Sequence, residues 1–186
     1  LSKEPRPETA MNSFGLAVPT LGPLLDGWGS AAPKSFGAVA SRAEWRAAMG
    51  WAERGGKTSD KTTPEQFQAF ESGAAEALKD YDAALRLRPK AIAVMTAKQH
   101  ALRSIGASDE ELRRIYDQSL EVCPTCFAPR AAWVLDHAPR WGGSEAEMLE
   151  ASKFSAAEAR KNPALALVPA YVQFDACRTA WERDGK

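Results

Sequence analysis

The apolar positions of this chain recur at three- and four-residue steps, the spacing that places side chains on one face of an α-helix. The clearest case is TPEQFQAFESGAAEALKDYDAALRL, residues 63–87. Its apolar stripe consists of Phe67, Phe70, Ala74, Ala77, Leu78, Tyr81 and Leu85. No segment alternates with the two-residue period of a strand. The pattern therefore predicts an all-α protein.

Several helix starts are marked by capping residues. Three capping boxes are predicted, at Thr63 with Gln66, Ser108 with Glu111, and Ser144 with Glu147. Asn162 followed by Pro163 predicts the start of the last helix, with an apolar stripe over Val168, Tyr171, Phe174 and Trp181. Helices with less definite ends are predicted over about 19–30, 35–54, 90–105 and 126–137. The total is about eight helices.

The helices are joined by a recurring proline turn. Pro89, Pro124 and Pro163 each follow a helix end and precede a new helix, and they lie 35 and 39 residues apart, with Pro33 as an earlier instance. A helix pair of about 34 residues is the unit of tetratricopeptide solenoids. Such a pair cannot bury its apolar stripe alone, so stacked pairs supply the core. The spacing predicts an irregular, tetratricopeptide-like helical-repeat superhelix.

Two segments resemble a bacterial family of tetratricopeptide-like proteins of unknown function. They are PKSFGAVASRAEWRAAMGWAERGG (33–56) and APRWGGSEAEML (138–149). The shared features are a Pro-x-Ser helix start, a Trp-x-x-Arg-Gly helix end and a Pro-Arg-Trp-Gly-Gly-Ser signature at 139–144. The resemblance covers about residues 19–160. It implies the same fold and no particular activity.

Length and charge set the wider limits. The chain has 186 residues, which suits a single α-helical repeat domain over 1–186, with an irregular lead-in at 1–18 and a flexible loop at 55–63. Its N-terminus suggests a processed chain or part of a larger protein. Lys plus Arg and Asp plus Glu both total 24, so no basic field favours nucleic acid. No apolar stretch approaches the 20 or so residues that span a bilayer. The sequence is compatible with a location in the cytoplasm or in the periplasm.

The PRWGGS segment has two interpretations. Gly142, Gly143 and the following helix start could bind an anion with the help of Arg140. The structural interpretation has a glycine turning the chain, Ser144 capping the next helix with Glu147, and Trp141 packing between helices. A phosphate loop would need a preceding strand and a lysine after the glycines, and neither is present. We therefore favour the structural interpretation.

Cys123 and Cys126 form a C-x-x-C pair. The pair could be ordinary packing residues, a local disulfide in an exported protein, or a redox or metal site. A zinc site needs four ligands, and Cys177, His100 and His137 supply no second pair with ligand spacing. We predict no bound metal and no cofactor.

A catalytic histidine is not supported by the sequence. His137 follows Asp136, but adjacent helical residues point about 100° apart, so Asp136 does not orient the His137 ring. Both His137 and His100 lie near predicted helix ends, where a helix dipole favours a cation. We therefore predict no catalytic residues.

Arginine and tryptophan side chains are the candidate partner-binding groups. They are Arg42, Trp45 and Arg46, together with Arg140 and Trp141. Tryptophan and arginine are enriched in binding hot spots, although most of the six tryptophans are expected in the core. We expect a non-enzymatic scaffold or adaptor that binds a protein or peptide. The alternative is an enzyme or small-molecule sensor with a site around Arg140, Trp141 and Ser144, with His137 as a further candidate residue.

Overall fold

The computed structural model describes residues 14–184, with side chains up to residue 181. Over this range the chain forms eight α-helices and no strand. The helices are α1 (Leu21–Ala31), α2 (Phe36–Arg54), α3 (Pro64–Leu87), α4 (Ile92–Ser104), α5 (Asp109–Val122), α6 (Phe127–Asp136), α7 (Glu145–Ala157) and α8 (Ala170–Asp184). Short 3-10 helices lie at Ser59–Lys61, Pro139–Trp141 and Pro163–Leu167. The all-α prediction is confirmed, and the tetratricopeptide-like superhelix stays a prediction.

The described chain divides into two compact units. The N-terminal unit ends at Ile105 and contains α1 to α4, whereas the C-terminal unit begins at Gly106 and contains α5 to α8. In the first, α3 packs along α2 and also against α4; in the second, α6 packs against α5, α7 and α8. Of the predicted lead-in, residues 1–13 lie outside the described residues. The single domain and the flexibility of residues 55–63 stay predictions.

The three helix starts predicted from capping residues at Thr63, Ser108 and Ser144 are found at those residues. At Thr63 and Ser108 the capping boxes are reciprocal: the hydroxyl oxygen accepts from the N–H three residues on, and that residue's side chain accepts from the cap N–H. At Ser144 the hydroxyl oxygen accepts from the Glu147 N–H at 3.2 Å, while the Glu147 carboxylate accepts from the Ser144 hydroxyl at 2.8 Å. The third box is therefore one-sided. Each bond from a backbone N–H satisfies a helix-end amide that would otherwise lack a partner.

The proline turns share one backbone geometry. In each, the residue before the proline donates its N–H to the carbonyl four residues earlier, and its own carbonyl accepts from the N–H three residues later. The donor residues are Ala32, Arg88, Cys123 and Asn162, with N–O distances between 2.8 and 3.3 Å. Their backbones have φ between −137° and −143°. Proline keeps its own residue, and the residue before it, out of a continuing helix, so the same turn forms at each site.

The close pairing of α2 and α3 depends on two glycines. A Cβ added at Gly73 would lie 3.0 Å from the Cα of Gly50, and one added at Gly50 would lie 3.2 Å from the carbonyl oxygen of Phe70. The two backbones therefore touch at this crossing. Around it lies a core that includes Ala40, Ala77 and Tyr81.

The prediction for the last helix is wrong at both its start and its buried face. Pro163 opens a 3-10 helix, and α8 begins only at Ala170. Because a 3-10 helix has three residues per turn, it changes which side chains face the core of this unit. Val168 is fully buried, but Phe174 and Trp181 are 61% and 70% exposed.

The expectation that most tryptophans lie in the core is also wrong. None of the six is buried among the described residues. Trp28, Trp51 and Trp181 are at least 40% exposed. The small residue alanine supplies much of the core instead, which allows the helices to approach closely.

Candidate functional site

A cleft in the N-terminal unit is lined by side chains of α2, α3 and α4, and we call it the N-terminal cleft. Its volume is about 230 Å³. One wall is α2, the other is α4, and the floor is α3. The lining side chains are Glu44, Ala47, Ala48 and Trp51 from α2, Phe70, Ala74 and Tyr81 from α3, and Ala97, His100, Ala101 and Ser104 from α4; Gly15 completes the lining.

The chemistry of the N-terminal cleft centres on Glu44. Tyr81 is buried, with 1% of its surface exposed. Its hydroxyl donates a hydrogen bond to Glu44 Oε1 at 3.1 Å. Burial raises the pKa of Glu44, and the Tyr81 hydrogen bond partly opposes that rise. Burial and the negative charge of Glu44 raise the pKa of Tyr81 well above its usual value of 10.0. Tyr81 therefore serves as a fixed donor.

His100 of α4 lines the same cleft as Glu44 and is exposed to solvent. Protein atoms around the ring lower its pKa to about 4, and the positive charge of Arg103 acts in the same direction. The imidazole is therefore neutral at pH 7.

Sequence reasoning missed the N-terminal cleft, although a signal was present. The α2 wall uses positions 44, 47, 48 and 51, and the α4 wall uses positions 97, 100, 101 and 104. Both sets follow the same i, i+3, i+4, i+7 spacing, and each combines alanines with polar or aromatic residues. The pattern could have suggested matching faces, but only the packing shows that they face each other.

The predicted partner-binding arginines of α2 are held in an internal ion-pair network. Arg42 donates to both oxygens of the buried Asp80 carboxylate at 2.7 and 2.8 Å, and Arg46 donates to one of them at 2.9 Å. The hydrogen bond with Asp80 raises the pKa of Arg42. Trp45 donates its indole N–H to the Val18 carbonyl at 2.9 Å. These groups stabilise α2 against its neighbours, and their role in partner binding stays a prediction.

The PRWGGS segment builds a compact connection. Gly142 ends the 3-10 helix with φ +93°, which favours glycine. A Cβ at Gly143 would lie 2.2 Å from the His137 carbonyl oxygen, so only glycine fits there. Arg140 forms an ion pair with the buried Asp175 carboxylate. Ser144 caps α7. Partner binding by Arg140 and Trp141 stays a prediction.

A smaller cleft in the C-terminal unit has a volume of about 120 Å³. Its lining is Asp109, Leu112, Trp133, Asp136, His137, Trp141, Gly142, Gly143 and Glu147. Nδ1 of His137 lies 2.8 Å from the Trp133 carbonyl oxygen. That contact anchors the ring to its own helix, since it spans one turn of α6. The cleft thus brings His137 and Trp141 together, while Arg140 is paired with Asp175 outside its lining.

Cys123 and Cys126 form a disulfide across the turn between α5 and α6. The same turn is held by hydrogen bonds to its carbonyl oxygens. Arg130 Nη2 donates to Pro124 at 2.7 Å, and Asn162 Nδ2 donates to Thr125 at 2.8 Å. The disulfide therefore adds a covalent link to a turn that is already hydrogen-bonded.

Within residues 14–184, no three or more His, Cys, Asp or Glu side chains are grouped so that they could hold a metal ion. Over the same residues, no helix has both the length and the apolarity required to cross a membrane. Comparison with protein-family models found no match, and comparisons with curated proteins and with solved structures found no similar chain. The resemblance to a tetratricopeptide-like family therefore stays a prediction.

Proposed function

We propose that the protein is a non-enzymatic scaffold or adaptor that binds an extended segment of a protein or peptide, and that the N-terminal cleft is part of its contact surface. The observation that supports this proposal is the cleft itself, with two helical walls, a helical floor and a lining composed largely of alanine and aromatic side chains. Binding sites are typically concave and mostly apolar, with few polar groups that fix orientation. A volume of about 230 Å³ suits one or two side chains of a longer ligand.

Repeated helix pairs favour binding over catalysis. The four proline turns share one backbone geometry, and an α-helix follows three of them, whereas a 3-10 helix follows the turn at Pro163. Stacked helix pairs commonly use an extended surface for ligands. The chemistry of the cleft is consistent with binding, because the hydroxyls of Tyr81 and Ser104 are both engaged in hydrogen bonds within the protein. The Ser104 hydroxyl donates to the Ala101 carbonyl at 2.7 Å.

The test is selection of peptide ligands from a displayed random library, with the full chain as bait and binding measured by calorimetry. Ala48→Trp fills the cleft, and Ala52→Trp places the same side chain one turn along α2, at an exposed position outside the lining. We expect selected peptides to bind the wild type and Ala52→Trp equally and to bind Ala48→Trp at least about tenfold more weakly.

Two outcomes would refute this function. One is that no peptide binds the wild type; the other is that peptides bind Ala48→Trp as tightly as the wild type. Circular dichroism and thermal unfolding are used to check that Ala48→Trp is folded, and Ala97→Leu provides a smaller obstruction from the opposite wall. The alternative function, an enzyme or sensor around Arg140, Trp141 and Ser144, has less support because Arg140 is paired with Asp175.

A further inference from the structure

Glu44 is a half-buried carboxylate that lacks a cation. Its partner is the Tyr81 hydroxyl, and among the described residues it has no ion pair. Apolar side chains surround it in the lining, including Ala47 and Ala48 on its own helix. Removing a carboxylate from water is costly unless a positive charge or several hydrogen bonds compensate. One neutral donor leaves much of this cost uncompensated.

The neighbouring carboxylate Asp80 shows how the same unit compensates such a charge. Asp80 is 5% exposed and binds two guanidinium groups, those of Arg42 and Arg46. These two arginines lie two residues before and two residues after Glu44 on α2, and both are used by Asp80. Within the described residues, two cations therefore pair with Asp80 and none pairs with Glu44.

The other charged groups near the N-terminal cleft do not fill this role. Arg54 lies over the ring of Trp51 at 5.4 Å and donates to the Gly55 and Lys57 carbonyl oxygens. His100 is neutral at pH 7. The positive charge of Arg103 lowers the pKa of His100, and the hydrogen-bond partner of Glu44 is Tyr81. A positive charge placed in the cleft by a ligand would therefore meet an uncompensated carboxylate.

We propose that the N-terminal cleft is a subsite for a basic side chain, lysine or arginine, of the bound peptide, with Glu44 as its counter-ion. The proposal rests on the proposed peptide-binding function. The alanines at 47, 48, 97 and 101 offer apolar walls for the alkyl part of such a side chain, while its charged end reaches the carboxylate. Tyr81 fixes one carboxylate oxygen, so the geometry of the acceptor is set before the ligand binds.

The test uses small probes of one side chain each. The full chain is titrated with N-acetyl-lysine methylamide and N-acetyl-arginine methylamide, and binding is followed by the amide signals of cleft residues and the indole N–H of Trp51. N-acetyl-norleucine methylamide has a similar alkyl chain without the charge. We expect shifts at cleft residues with a basic probe, and at least about tenfold weaker binding of the norleucine probe, since a charge-assisted hydrogen bond is lost.

Glu44→Gln is the decisive variant, and Glu53→Gln is its matched control. Glu53 lies on the same helix, is exposed and is not part of the lining. We expect Glu44→Gln to weaken basic-probe binding about tenfold and to leave norleucine-probe binding unchanged, whereas Glu53→Gln changes neither. A second readout is the pKa of the Glu44 carboxyl, which a bound cation should lower.

Three results would overturn this subsite. They are the absence of shifts at cleft residues with both basic probes, equal binding of the norleucine probe, and unchanged basic-probe binding in Glu44→Gln. Failure here is distinct from failure of the proposed function. If library peptides bind and Ala48→Trp blocks them, but the basic probes give any of these three results, the binding function stands and the basic subsite is rejected.

Discussion

The network around Asp80 leads to a quantitative prediction about stability. The Asp80 side chain is 7% exposed and accepts three hydrogen bonds from Arg42 and Arg46 at 2.7 to 2.9 Å. Asp80→Asn removes the negative charge and places an amide nitrogen against guanidinium donors. Removing one partner of a buried ion pair costs about 3–5 kcal/mol. The arginines are 24% and 22% exposed, and Asp26 and Glu76 lie within 3.4 Å of them. We therefore expect a smaller loss, about 2–3 kcal/mol.

The assay is urea unfolding at pH 7 followed by circular dichroism, with hydrogen exchange of α2 and α3 amides to locate the effect. The matched control is Asp82→Asn, on the same helix. Asp82 is 49% exposed and accepts from Lys98 at 2.6 Å, so its loss should cost less than about 1 kcal/mol. The reasoning is refuted if Asp80→Asn costs no more than Asp82→Asn, or if only amides of the C-terminal unit lose protection.

Three further predictions follow from packing and from the pKa shifts. Gly73→Ala should lower the free energy of unfolding in urea by about 1–3 kcal/mol, because the added Cβ would meet the Gly50 backbone. Gly27→Ala is the control: its Cβ would have nothing within 4 Å, so this variant should be more stable than the wild type by up to about 1 kcal/mol. Equal effects of the two substitutions would contradict the close approach of α2 and α3. Because burial disfavours the charged form of Glu44, Glu44→Gln should be more stable than the wild type at pH 7. This difference in stability should disappear as the pH falls below 4.5, where the carboxyl is protonated in both the folded and the unfolded chain. A difference that stays constant across this pH range would contradict the raised pKa of Glu44. The imidazole of His100 should titrate near pH 4 by NMR, whereas in the unfolded chain it takes up a proton at about pH 6.5. The contribution of the neutral imidazole to the free energy of unfolding is therefore complete above pH 6.5 and is lost as the pH falls towards 4. Titration of His100 at pH 6.5 in the folded protein would contradict the burial of the ring by protein atoms.

The sequence determined the local structure of this chain to a large degree. The helix starts at Thr63 and Ser108 were predicted because a cap and its partner lie three residues apart, within one turn of helix. The proline turns were also predictable from local sequence, because proline restricts the backbone of its own residue and of the residue before it. The start of α8 could not be predicted in this way, because Asn-Pro can begin either a 3-10 helix or an α-helix. Packing decides which of the two forms.

Tertiary structure decided which side chains work together. Arg42 and Arg46 looked available to a partner in the sequence, but Asp80, more than 30 residues away, accepts from both of them. Likewise Glu44 and Tyr81 meet only because α2 and α3 cross closely where glycines lie. Hydrophobic spacing and caps act over a few residues and can be read along the chain. The compensation of a buried charge depends on residues far apart in sequence, so it is decided only when the helices pack.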